Sequence, residues 1–188
     1  CSEVGLAIGN GRMVPVEEVV RSPDSDLAIL HTDRAPRTLG VDFNKQMRVG
    51  EAGYHVGFPQ GNSGEVSSRL LARSRLVTRG RYSLEEGVLA WAETARTTNV
   101  RGTLAGMSGG PVFDADGSVV GVTVAESPRR GRIYTAAPSS VIRFLDEHSA
   151  VAVSGDTVPL SPETYASEAN RLRSERAIVK VICRVTPW

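Results

Sequence analysis

Ser108 stands alone among glycines in the stretch Gly106-Met107-Ser108-Gly109-Gly110. A serine hydroxyl is a weak nucleophile at neutral pH until a base takes its proton and an anion hole receives the developing charge. Residues with small side chains let backbone N–H groups, such as those of Gly106 and Ser108, converge on one oxygen. Followed by Pro111 and the Asp116-Gly117 turn, the same stretch also reads as an ordinary glycine-rich turn between strands. On these residues alone both readings stand.

A nucleophilic serine needs partners. Asp24 and Asp26 lie just before the apolar run Leu27-Ala28-Ile29-Leu30, and the three histidines, His31, His55 and His148, all follow them. His31 shares a strand with Asp26, His55 opens a later strand and His148 ends a helix, so each reads as structural. Gly106 to Gly110 also fits Gly-x-Ser-x-Gly, the nucleophile elbow of α/β-hydrolases, but that turn must lead into a helix. Pro111 and a hairpin pattern follow instead, which excludes it. Asp114 and Asp116 flank a turn glycine and read as turn chemistry. The arginines 69, 73, 75, 79 and 81, with a second group at 129, 130 and 132, read as a solvated strand face and loop. No His/Cys set has metal-ligand spacing, so no metal or other cofactor is expected.

The elements that must carry these residues are mostly short strands. Two apolar-patterned runs flank Asn10-Gly11, a strong hairpin signal. Strands are expected in "SDLAILHTD", in "EAGYHVG" up to Gly57, in "VSSRLLARSRLVTR", in "GVLAWAETART", on both sides of Asp116-Gly117, and in "GRIYTAAP". Arg34 to Val49 reads as a connector. A helix capped by Ser139 or Ser140 gathers Val141, Phe144, Leu145 and His148 on one face. A second runs from Ser161, with Pro162 in its first turn, to about Arg176, and "AIVKVICRV" closes the chain as a strand. This pattern predicts an all-β sandwich or barrel.

At 188 residues the chain suits one sizeable domain or two small barrels, and 40% hydrophobic with 23% charged residues is an ordinary globular composition. A net charge of +1 argues against a dedicated nucleic-acid binder. No apolar run approaches membrane-span length and no signal peptide is visible. The chain begins with Cys1, which reads as the start of a processed or trimmed piece. Cys1 and Cys183 are its only cysteines. They form either one disulfide, in an oxidising compartment, or two separate thiols.

"GMSGGPVFDADGSVVGV" resembles the nucleophile segment of trypsin-like serine proteases, especially their bacterial HtrA-type branch. "SPDSDLAIL" resembles the segment carrying that family's catalytic aspartate, "GYHVGFPQG" its second-barrel opening, and "GRIYTAAPSSVIRFL" its substrate-lining strand and following helix. The resemblance spans about Ser2 to Leu145, with the parts in the family's order. It implies an all-β, chymotrypsin-like fold of two β-barrels, the first incomplete in this chain, with a short helix-strand C-terminal extension. Residues 1–40 would be the remainder of the N-terminal barrel, 41–150 the C-terminal barrel and 151–188 the extension.

The activity implied is hydrolysis of protein or peptide substrates by acyl transfer through a Ser-His-Asp triad. Ser108 matches the nucleophile, Asp26 the carboxylate behind the histidine in preference to Asp24, and the Gly106 and Ser108 N–H groups the oxyanion hole. Thr103, Leu104, Thr135, Ala136 and Ala137 match the primary substrate pocket, with no carboxylate to favour a basic side chain. Met107 departs from digestive trypsins, which carry aspartate there, so activation by insertion of a new N-terminus is not expected. The family's histidine lies upstream of its aspartate and would precede Cys1. The expectation is therefore an enzyme completed by an upstream segment, in the same chain or as its own N-terminal fragment. The rival is an inactive protease-fold binding module. Membership of this branch also implies a periplasmic or secreted bacterial protein.

Overall fold

The computed structural model describes residues 2–33, 37–79, 83–150 and 155–185. Its first hairpin pairs β1 (Glu3–Ala7) with β2 (Met13–Pro15) around Asn10 and Gly11. Both turn residues have positive φ, 52° and 68°, as a two-residue turn matched to the strand twist requires. A second antiparallel pair joins β3 (Glu18–Arg21) to β4 (Ala28–His31) and stands apart as a two-stranded sheet.

The next six strands close on themselves. They are β5 (Ala52–Gly57), β6 (Gly64–Thr78), β7 (Leu84–Arg96), β8 (Pro111–Phe113), β9 (Val119–Ser127) and β10 (Arg132–Ala136). Around the barrel their order is β10-β7-β6-β5-β8-β9. Val66, Leu70, Trp91, Val112, Val120 and Ile133 fill its interior, each at most 1% exposed. The outer half of the β6–β7 hairpin is exposed and braced by polar contacts. Arg75 pairs with Glu85 at 2.7 Å, while Arg69 and Arg73 donate to the Gly50 and Met47 carbonyls. Arg73 therefore grips the connector, Arg69 the residue just after it and Arg75 the paired strand; Arg81 lies outside the described residues.

Two helices cover the barrel. α1 (Pro138–Glu147) packs Val141 onto Val88, Val124 and Ala136. Pro138, with no N–H to leave unpaired, takes the first turn, so Ser139 and Ser140 lie inside the helix rather than capping it. α2 (Tyr165–Ser174) starts three residues after Pro162, because Ser161 to Thr164 form a separate turn. Its Tyr165, Ala169 and Leu172 pack on Tyr54, Val56, Phe113 and Val119. The last strand, β11 (Lys180–Arg184), returns to the start of the chain and pairs with β1, giving the sheet order β11-β1-β2.

The architecture is one closed six-stranded barrel, two open sheets in place of a complete first barrel, and a helix-strand extension. That is the expected all-β fold. The extension is part of the N-terminal sheet rather than an appendage, since Val4 pairs with Cys183 and Ser2 N donates to Arg184 O at 2.8 Å. Cys1 lies outside the described residues.

Candidate active site

The Ser108 loop is anchored from below by Met107, whose side chain is 1% exposed and belongs to the barrel core. Burying such a side chain stabilises by roughly 1.5–3 kcal/mol. An apolar anchor thus occupies the place where digestive trypsins hold a carboxylate. Met107 N donates to Leu104 O, Gly110 N to Met107 O and Gly109 N to Thr123 O, at 2.8–2.9 Å. Among the described residues, the N–H groups of Gly106 and Ser108 have no such partner.

Two glycines are required by sterics. Gly106 has φ 95°, and a Cβ there would sit 2.8 Å from the Phe58 carbonyl oxygen. At Gly110 a Cβ would meet the Val56 carbonyl oxygen at 2.3 Å. The glycine run therefore lets the loop press onto the β5 end while keeping two amides unspent. The Ser108 hydroxyl donates to Val124 O at 3.3 Å.

Ser108 borders two cavities. One, of about 450 Å³, lies between the loop, Phe58 and the tail from Ala177 to Val181. The other, of about 860 Å³, is shared with Asp26 and walled by Leu27, Ile29, Phe43, Val141 and Phe144. Asp26 is exposed and opens toward this space. Its backbone N–H donates to the Glu86 carboxylate at 3.2 Å. Burial pushes the Glu86 carboxyl above the ordinary range, the Asp26 N–H draws it back, and the nearby Asp26 charge raises it further. Asp24 does not border the cavity and instead faces Arg143 at 3.7 Å.

No histidine meets Ser108 among the described residues. His55, on β5, is fully buried; its Nε2 lies 2.8 Å from Ser68 Oγ and its Nδ1 3.3 Å from Thr123 Oγ1. Desolvation lowers its pKa from 6.5 to about 3, so it is neutral. His148 donates through Nδ1 to Phe144 O at 2.9 Å, and His31 is exposed on β4 opposite Glu18.

The residues expected to form the primary pocket are dispersed in burial. Thr135 and Ala136 are fully buried, Thr135 accepting from Trp91 Nε1 at 3.0 Å, and Leu104 is in the barrel core. Thr103 is exposed and Ala137 half-buried. None of the five borders either cavity beside Ser108. Two of these residues have a carboxylate beside them. Glu126 on β9 reaches across to accept from Leu104 N at 2.8 Å and from the Thr103 hydroxyl. No local sequence signal marks this contact, because it joins a loop to a strand 22 and 23 residues further on.

Asp114 and Asp116 do form a turn, with Asp114 Oδ1 accepting from the N–H groups of Asp116 and Ser118 at 3.0 and 2.9 Å. Both also bind Lys45 Nζ, at 2.5 and 2.7 Å, which ties the connector to the β8–β9 turn and raises the Lys45 pKa. Among the described residues no cluster of three metal-ligating side chains occurs, and no helix is long and apolar enough to cross a membrane.

Residues 1–122 match the trypsin-like peptidase domain family. A curated relative from Bartonella henselae, a probable periplasmic serine endoprotease, DegP-like, is 30% identical over 135 residues. The match covers 70% of this chain and 25% of the relative, so the chain spans a quarter of that protein's length. Among solved structures, the active form of the Rv3671c protease from M. tuberculosis superposes with a TM-score of 0.60 at 21% identity, over 81% of this chain and 64% of its own. The HtrA-type protease AlgW, solved with a decapeptide, gives 0.57 at 21%, over 89% and 52%. At such identity these two show a shared fold.

Proposed function

The chain belongs to the trypsin-like peptidase domain family, on the side of its HtrA-type members, and on that premise we propose that it carries the nucleophile of an exported serine endopeptidase. Ser108 is the nucleophile and Asp26 the carboxylate that orients the general base. The base is a histidine from a segment outside this chain. In acylation the imidazole takes the Ser108 hydroxyl proton as Oγ bonds to the scissile carbonyl carbon. The carbonyl oxygen becomes an oxyanion held by the Gly106 and Ser108 N–H groups. The imidazolium then protonates the leaving amine as the C–N bond breaks, and water repeats the sequence to release the acid.

The observation that carries this reading is one cavity bordered by both Ser108 and Asp26, beside a loop whose two unpartnered amides flank the serine. The relative's periplasmic description supports export, and the family supports protein or peptide substrates. A second reading, a binding module of protease fold, is favoured by the lack of any described histidine at Ser108. Hydrolysis of an unfolded protein by the full-length protein, lost in Ser108→Ala, would establish the enzyme. A full-length wild type without hydrolysis, yet able to bind that protein, would establish the binder.

A further inference from the structure

The β5–β6 connection, Gly57 to Gly64, lies directly beneath the Ser108 loop and is closed by a residue from the C-terminal extension. Arg173, on α2, is 10% exposed in its side chain. Its Nη2 donates to Gly57 O at 2.9 Å and Gly64 O at 3.0 Å, the two ends of that connection. Its Nη1 donates to the Glu65 carboxylate, itself 5% exposed, and to Asn170 Oδ1 at 3.2 Å. The guanidinium lies 5.4 Å over the Phe58 ring. A planar fork can bracket two carbonyls and a carboxylate at once, which an ammonium cannot do.

Between those ends sits Gln60, a non-glycine residue at φ 52°, in a conformation that costs about 1–2 kcal/mol and needs neighbours to hold it. Its N–H donates to Ala105 O at 2.6 Å, and its side chain donates to the Thr103 carbonyl at 2.9 Å and to that of Arg101. The Ala105–Gly106 peptide is trans, so its carbonyl and N–H point in opposite directions within one plane. With Ala105 O turned down onto Gln60, the Gly106 N–H must face the other way. It is one of the two unpartnered amides beside Ser108.

We infer that Arg173 is a positioning residue: by closing the Gly57–Gly64 loop it holds Gln60 in place, and Gln60 fixes the peptide whose N–H serves the oxyanion. The inference rests on the reading of Ser108 as nucleophile. It gives the C-terminal extension a part in the chemistry, since α2 then sets the orientation of a group two contacts away. The bonds to Gly57 O and Gly64 O support this over a purely structural ion pair, because they bracket the loop whose Gln60 N–H holds Ala105 O.

The test uses the full-length protein and a small ester substrate, with kcat and KM measured separately. Arg173→Met is combined with Glu65→Gln so that no buried carboxylate is left unpaired. Losing one oxyanion donor costs about 10²–10³ in kcat, and misplacing it costs part of that. The expected result is a kcat about 10- to 100-fold lower with KM within about twofold, in protein that melts cooperatively. Gln60→Gly accepts the positive φ without strain and loses only the side-chain bonds, so it should lower kcat by a smaller factor. A folded Arg173 variant with wild-type kcat, or one changed only in KM, overturns the inference. If that variant does not fold, wild-type kcat in Gln60→Gly overturns it. Failure of the underlying reading looks different: Ser108→Ala would be as active as wild type, or the wild type would be inert.

Discussion

His55 can be separated from catalysis by its effect on acid stability. It is fully buried and neutral, with a pKa lowered from 6.5 to about 3 by desolvation. In the unfolded chain the imidazole gains a proton near 6.5, whereas the folded protein resists protonation until about 3. Below 6.5 the unfolded state therefore binds more protons, and stability falls as pH falls. At about 1.36 kcal/mol per pH unit, the loss is about 2 kcal/mol at pH 5, about 3 at pH 4 and roughly 4 near pH 3. Above pH 7 the contribution is flat.

His55→Gln removes the titration while keeping a polar group near Ser68 and Thr123. Urea midpoints for both proteins between pH 8 and 4 isolate the term, since acid effects on carboxylates are shared. Wild type should lose about 3 kcal/mol more than the variant between pH 7 and pH 4. Parallel curves, or an NMR titration placing the His55 imidazole near 6.5, would refute the reasoning. They would also reopen His55 as a general base, which works best with a pKa near the working pH.

Other outcomes are equally open to measurement. Gly110→Ala places a Cβ 2.3 Å from Val56 O and 2.9 Å from Met107 O. It should destabilise by at least about 2 kcal/mol in urea unfolding, and an unchanged midpoint would contradict the packing described. We propose that Cys1 is bonded to Cys183, because β11 runs beside β1 and brings Arg184 to Ser2. Intact mass with and without reductant should differ by two hydrogen atoms, and closure of so long a loop should stabilise by roughly 4–5 kcal/mol; two free thiols would exclude it. A peptide library should show small or medium uncharged side chains before the scissile bond. A profile dominated by Arg or Lys would refute that preference and implicate Glu126, beside Thr103.

What was legible in the sequence was local. Asn10-Gly11 and Asp116-Gly117 announce hairpins because positive φ or turn bonding restricts which residues fit, and both hairpins are present. The Ser108 segment is legible for the same reason, since Gly106 and Gly110 stand where no Cβ has room. Helix starts were less so: Pro138 displaced the serine cap, and the Ser161 turn delayed α2. Pairings across long separations left no trace in spacing. Arg173 meets Glu65 from 108 residues away, and β11 completes a sheet begun at Glu3. These contacts are chosen by which apolar faces the closed barrel leaves for α2 and the tail to cover.

The central claim is that Ser108 is a nucleophile whose base comes from outside this chain. Fluorophosphonate labelling with the adduct mapped by peptide mass spectrometry tests it most directly, on residues 1–188 alone and on the full-length protein. The account predicts a Ser108 adduct in the full-length protein, none in Ser108→Ala, and labelling of residues 1–188 slower by about 10³-fold or more without a base. Rapid labelling of Ser108 in residues 1–188 alone, abolished by His31→Ala or His55→Ala, would contradict it.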